Sequence, residues 1–188
     1  MKKIKVDAYA VVLHLAVIGL CVTTLLLAQE NRKLRSLITS GNDAGGPQVG
    51  QTLEDLRWQP LDGEEVTVDF ASGGQEHLLL IFTTDCPACQ KNQAAWRTLH
   101  QRAGSSVEVL GISLSDPELT RGYRDTHSLP FPVGVPAEPQ AFASAFEITG
   151  VPMTIRVGAD GRVSGTWSGL LLEDRLDEIT APTANARR

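Results

Sequence analysis

Leu78 to Cys89 reads LLLIFTTDCPAC: five apolar residues, three polar ones, then two cysteines with two residues between them. A continuous apolar run of strand length suits a central strand covered on both faces. The segment from Cys86 to Arg102 then has helical spacing, with Ala95, Trp96 and Leu99 facing inward. Cys86 and Cys89 therefore open a helix directly after a buried strand. That spacing puts both sulfurs on the first helical turn, close enough to join with little movement of the backbone. A helix amino terminus favours an anion, so Cys86, at the exposed tip, is the candidate nucleophile. Cys89, one turn further in and partly covered, is the candidate resolving residue.

Outward from that stretch, short apolar runs alternate with helix-period segments. Val66 to Phe70 follows the turn Leu61-Asp62-Gly63 and reads as a strand; Val107 to Leu114 is a second buried strand. Pro117 stands where a helix starts, leading into ELTRGYRDTHS. Phe131 to Val135 reads as a short strand, Pro139 to Phe146 as a short helix and Met153 to Val157 as another strand. Asp160-Gly161 is the strongest two-residue hairpin signal in the chain, and it joins that strand to Arg162 to Trp167. A last helix, Leu171 to Ile179, ends before Pro182. This order predicts an α/β sandwich, a mixed central sheet with helices on both faces.

The amino-terminal segment has a different character. Ala8 to Ala28 is 21 residues without a charge, bounded by Lys2, Lys3 and Lys5 before and by Glu30, Arg32, Lys33 and Arg35 after. A helix of that length covers about 30 Å, the thickness of a bilayer core. It is read as one uncleaved membrane span, because the apolar run exceeds what a signal peptide needs and Leu26 spoils the small-x-small pattern that would allow cutting after Ala28. Basic residues on both flanks leave its orientation open. His14 and Cys21 inside it are given no chemistry. The expected organisation is a basic segment 1–7, an anchor 8–28, a charged stem and flexible tether 29–48, a folded domain 49–182 and a tail 183–188.

Charge follows the same division. The formal net charge of −5 hides an excess of four basic residues in 1–35 and of nine acidic residues in 36–188. So acidic a domain is unsuited to nucleic acid. Three cysteines are too few for a disulfide-stapled scaffold or a four-cysteine zinc site. A zinc site completed by His100 and His127 is disfavoured, since the two fall on different predicted elements, and no metal is expected. A purely structural disulfide would close a tiny loop and add little stability.

Further along comes Gly150-Val151-Pro152-Met153-Thr154, a proline at the start of a predicted strand. Here the domain resembles the thioredoxin-like fold, and more closely the membrane-anchored TlpA-like disulfide reductases and the redoxin group around them. The insert FPVGVPAEPQAFASAFEITGVP before the proline and MTIRVGADGRVSGTW after it carry the likeness, which spans Val49 to Ile179. The resemblance implies a cis Pro152 packed against the two cysteines. It also implies a redox-active Cys86–Cys89 disulfide in place of a cofactor, and a substrate-binding surface of Val151, Pro152, Pro87 and Ala88.

Two departures bear on mechanism. Many relatives carry Trp before the first cysteine, but here stands Asp85, whose carboxylate opposes a thiolate on Cys86; Lys91, one turn on, offsets it. Where thioredoxin has a buried acid, six residues before the first cysteine, this chain has Leu80, and Glu147 is the candidate to move a proton instead. The resemblance implies an extracytoplasmic reductant of disulfides in secreted or periplasmic proteins, of the kind serving cytochrome c or periplasmic enzyme maturation. Such a role takes protein disulfides or thiols as partners, a membrane electron donor, and the bilayer through residues 8–28. Two other readings stay open. One is a thiol peroxidase using Cys86: Thr83 fits the peroxiredoxin pattern PxxxTxxC, but Leu79 replaces its proline. The other is a non-enzymatic module that binds exposed chains at Pro152.

Overall fold

The computed structural model describes residues 8–39, 45–72 and 74–181, which belong to two compact units, 1–40 and 41–188. The expected basic segment 1–7, the tether from Ser40 to Ala44 and the tail 183–188 lie outside the described residues.

The first unit is helix α1, Ala8–Thr39. Ten large apolar side chains between Val11 and Leu27 are exposed along it. The hydroxyls of Thr23 and Thr24 both donate to the Leu20 carbonyl, at 2.9 and 2.7 Å, so their polar atoms are satisfied within the helix itself. Among the described residues no helix is long and apolar enough to cross a membrane.

The second unit contains β1 (Leu56–Pro60), β2 (Val66–Val68), β3 (Glu76–Phe82), α2 (Pro87–Ala103), β4 (Val107–Ser113) and α3 (Pro117–His127). These are followed by β5 (Val133–Pro136), α4 (Pro139–Ala145), β6 (Met153–Val157), β7 (Val163–Ser168) and α5 (Glu173–Thr180). The strands form one mixed sheet in the order β2-β1-β5-β4-β3-β6-β7. β3 and β4 are parallel and in register from Glu76–Val107 to Phe82–Ser113, while β6 runs antiparallel on the other side of β3. This is the α/β sandwich expected, with the LLLIF strand near its centre. Alternation along that strand splits the core. Leu78, Leu80 and Phe82 pack with Cys89, Trp96 and Leu99 of α2, whereas Leu79 and Ile81 pack with Phe142 and Phe146 around α4.

Several boundaries differ from expectation, each for a local reason. Strand β1 was not anticipated: Pro60 marks LRWQP as a poor strand, but the proline falls at its end, with Leu56 and Trp58 pointing inward. β2 stops at Val68 rather than Phe70 because the Asp69 carboxylate accepts the N–H groups of Ala71 and Ser72, both at 2.9 Å, and turns the chain. β5 begins at Val133, after Pro132, which has no N–H to pair. The Asp160-Gly161 turn is wider than a two-residue hairpin. Val157 pairs with Val163, and Gly158 donates to the Arg162 carbonyl at 2.8 Å, with Gly161 at φ +74° closing the loop.

The chain before Val49 also joins this unit. Pro47 is buried and its carbonyl accepts the Thr166 hydroxyl at 2.8 Å, while Gly50 donates to the Val163 carbonyl at 2.8 Å.

Candidate active site

β3 delivers the chain to the site, and hydroxyl groups hold the turn that follows. The Thr84 N–H donates to Ser115 Oγ at 3.0 Å and its hydroxyl to the same atom at 3.2 Å; the Ser115 N–H donates to Ser113 Oγ at 3.2 Å. Ser113 and Thr120 are fully buried with their oxygens 2.7 Å apart, and Thr120 donates onward to the Asp116 carbonyl at 2.8 Å. The turn carrying Cys86 is thus tied to the β4–α3 loop by a satisfied polar chain.

Cys86 is the N-cap of α2, with Pro87 in the first turn, where its missing N–H costs nothing. The Cys89 N–H donates to Cys86 Sγ at 3.1 Å. The two cysteines form a disulfide with their Cα atoms 5.2 Å apart. Cys86 is half-buried and Cys89 is fully buried among Phe82, Trp96 and Leu99. On reduction, the sulfur at the cap keeps a backbone donor and the positive end of the helix dipole, whereas the inner sulfur keeps an apolar wall. The first environment favours a thiolate and the second a neutral thiol.

The Val151–Pro152 peptide bond is cis, and the Val151 carbonyl oxygen lies 3.8 Å from Cys86 Sγ. Four of the expected residues, Cys86, Cys89, Val151 and Pro152, therefore meet at one place. Pro87 is exposed and Ala88 half-buried on the same first turn. Asp85 and Lys91 are exposed, and among the described residues neither makes an ion pair.

Glu147 was expected on the helix leading to Gly150. α4 ends at Ala145, however, and Glu147 follows it at φ +51°, exposed, accepting from Gln51 Nε2 at 3.2 Å. Among the described residues its hydrogen bond is to Gln51, not to the disulfide. Leu80 is fully buried, and the polar atoms on its face of the core belong to other residues. Gln93 Nε2 donates to the Tyr123 hydroxyl at 3.1 Å; burial pushes that phenol above its ordinary value and the Gln93 bond opposes the shift. His100 packs on Phe131 and His127 on Tyr123, on α2 and α3 respectively. Among the described residues no three His, Cys, Asp or Glu side chains are grouped to hold a metal.

Sequence reasoning passed over Asn92. It follows Cys89 by three residues on α2, and only 1% of it is exposed. The signal was a polar residue on the inward stripe that Cys89, Trp96 and Leu99 define.

The sequence profile of the AhpC/TSA family matches residues 49–165. No curated protein matches the chain. Among solved structures, StoA from Bacillus subtilis is 18% identical, with a TM-score of 0.57 over 68% of this chain and 96% of that one. The thioredoxin domain of a thiol-disulfide oxidoreductase from Bacteroides vulgatus is 17% identical, with a TM-score of 0.60 over 70% and 94%. A thioredoxin-family thiol:disulfide interchange protein from Chlorobium tepidum is 22% identical, with a TM-score of 0.56 over 71% and 96%. Likenesses of this size establish the thioredoxin-like fold.

Proposed function

The chain belongs to the AhpC/TSA family and is an oxidoreductase, and from that premise we propose that it is a membrane-anchored thiol-disulfide oxidoreductase whose dithiol reduces disulfides of proteins outside the cytoplasm. One observation carries the reading: Cys86 caps α2, takes the Cys89 N–H and lies beside the cis Val151–Pro152 bond.

In the reduced chain the Cys86 thiolate attacks one sulfur of a partner disulfide. The other partner sulfur leaves as a thiolate, and a mixed disulfide with Cys86 remains. Cys89 loses its proton and attacks Cys86 Sγ, the second partner sulfur departs, and the Cys86–Cys89 disulfide forms. Two electrons have moved to the partner, which takes up two protons. A dithiol donor in or at the membrane must return them. Val151, Pro152, Pro87 and Ala88 form the surface where the partner chain rests.

The anchor is supported by the uncharged run from Ala8 to Ala28 and by the exposed apolar side chains of α1. The side of the membrane follows from function: an anchored dithiol domain has no evident use beside soluble cytosolic thiols, but outside it must be retained and supplied with electrons. The test is reduction of insulin by the full chain in detergent, run beside its turnover of hydrogen peroxide. Insulin reduction through a dithiol donor is expected. Rapid peroxide turnover with no insulin reduction would replace this reading with a thiol peroxidase. A reporter active only in the cytosol, fused after Arg188 and found active, would overturn the location.

A further inference from the structure

Three segments meet at the disulfide end of the sheet, and one side chain ties them together. The Asn92 amide is buried on α2, one turn beyond Cys89. Its Nδ2 donates to the Gly169 carbonyl at 2.9 Å, and its Oδ1 accepts the Leu171 N–H at 3.0 Å. Gly169, at φ +82°, in turn donates its N–H to the Pro152 carbonyl at 2.9 Å. The loop between β7 and α5 is therefore fastened at its backbone to the helix of the cysteines and to the cis proline. α5 starts at Glu173 rather than at Leu171, with Leu172 extended at φ −90°, ψ 166° before it. The fastening leaves Leu171 buried and turns Leu170 and Leu172 outward, 36% and 58% exposed.

An asparagine in a helix interior gains nothing from propensity. A leucine there would fill the core but leave the Gly169 carbonyl and the Leu171 N–H without partners. Asn92 satisfies both groups with one donor and one acceptor, and it is the side chain that joins this loop to the helix of the cysteines, beside the backbone bond from Gly169 to Pro152. We propose that Asn92 is a positioning residue for protein substrates, holding the Gly169–Leu172 loop in the place where a partner chain must lie for its disulfide to reach Cys86. The proposal rests on the thiol-disulfide reading. It assigns Asn92 no part in the chemistry of sulfur, which distinguishes it from a residue that tunes the thiolate.

The experiment compares a protein disulfide with a small one, using the full chain in detergent. Asn92→Ala raises KM for insulin about tenfold or more with kcat little changed, while reaction of the reduced chain with Ellman's reagent changes less than about twofold. Asn92→Asp adds a pH signature. An ionised carboxylate accepts from Leu171 but faces the Gly169 carbonyl without a donor, so KM rises. The protonated acid donates to Gly169 and accepts from Leu171 as the amide does, so KM returns towards its original value as pH falls, each value normalised to the Ellman rate at the same pH. Equal slowing towards both reagents in Asn92→Ala, or a KM in Asn92→Asp that does not move with pH, overturns the proposal.

Should neither variant fold, the Cys89→Ser chain is trapped as a mixed disulfide with a cysteine peptide. Shifts of the Asn92 side-chain amide and the Leu171 N–H resonances on trapping support the role, and their constancy overturns it. A natural chain that reacts with Ellman's reagent but leaves insulin untouched locates the failure in the thiol-disulfide reading, and this proposal falls with it.

Discussion

The two faces of the sheet bury different kinds of residue. Of the seven buried polar or charged residues among those described, Asn92, Gln93, Ser113, Thr120, Thr154 and Arg156 lie on the face covered by α2, α3 and α5. Thr154 and Arg156 belong there because they alternate with Met153, Ile155 and Val157, which pack on the α4 side. The α4 face has His77 alone, against Phe70. On the face that presents the disulfide, Asn92, Ser113 and Thr120 use hydrogen bonds to hold loops near Cys86, Gln93 joins α2 to α3 and Arg156 joins β6 to the end of α5, whereas the other face mainly excludes water. Burial of a polar group without a partner is costly, so a cluster of partnered ones marks where backbone position has been specified.

The largest expected effect lies at the disulfide. Cys86→Ser abolishes reduction of protein disulfides and traps almost no mixed disulfide, because Cys89 has no exposure. Cys89→Ser also ends turnover but accumulates mixed disulfides on Cys86, since the internal nucleophile that would release them is gone. Gel analysis after exposure to a protein disulfide reads both outcomes. Equal trapping by the two variants would erase the assigned roles.

Next come two substitutions that set the faces against each other. Arg156 donates to Glu76 at 2.5 and 3.0 Å and to the carbonyls of Ile179 and Ala181 at the end of α5. Arg156→Ala takes the Arg156 guanidinium away from a half-buried carboxylate and two carbonyls, with an expected loss of about 3–5 kcal/mol in urea unfolding. Replacing Arg156 and Glu76 together by leucine should recover most of it, as apolar pairs do where a buried ion pair stood. On the α4 side, Leu79→Ala removes fully buried methyl groups, at about 2–5 kcal/mol. Its rates with protein and small disulfides, per folded molecule, should keep their ratio. If Leu79→Ala changed that ratio, the division between a positioning face and a packing face would be wrong.

Legibility in the sequence follows the same division. The LLLIF strand, the cysteine helix and the β6 strand from Met153 to Val157 were readable because apolar period and proline placement are local signals. The candidate site was readable at Cys86, Cys89, Val151 and Pro152. β1 was missed because a proline at a strand end reads like a proline inside one. Asn92 and Ser115 were missed for another reason: their partners are backbone groups or a hydroxyl distant in the chain, and a buried polar residue shows its purpose only once those partners are known. The wide Asp160-Gly161 loop was mis-sized because the bond from Arg162 N–H to the Asp160 carboxylate competes with a tighter turn.

The smallest expected effect tests the lone polar residue of the packing face. His77 packs edge-on to Phe70 at 5.2 Å between ring centres, and its Nδ1 lies 3.3 Å from the Glu108 carboxylate of β4. Burial lowers its proton affinity, and Glu108 only partly opposes this. In the unfolded chain the ring titrates near about 6.5, so below that pH the unfolded state binds a proton that the folded state does not. The stability tied to this ring is therefore complete above about pH 6.5. It is lost as pH falls from there towards the lower folded value, by no more than about 1.4 kcal/mol per pH unit for one proton. His77→Gln removes that slope, read as the difference between the two unfolding midpoints across pH 5 to 7.5. Because His77 stands near the start of β3 and Cys86 follows its far end, the pH profile of disulfide reduction per folded molecule should be the same in both chains. A slope of the opposite sign would mean that the Glu108 pairing outweighs burial. A shifted reduction profile would mean that the packing face reaches the disulfide after all.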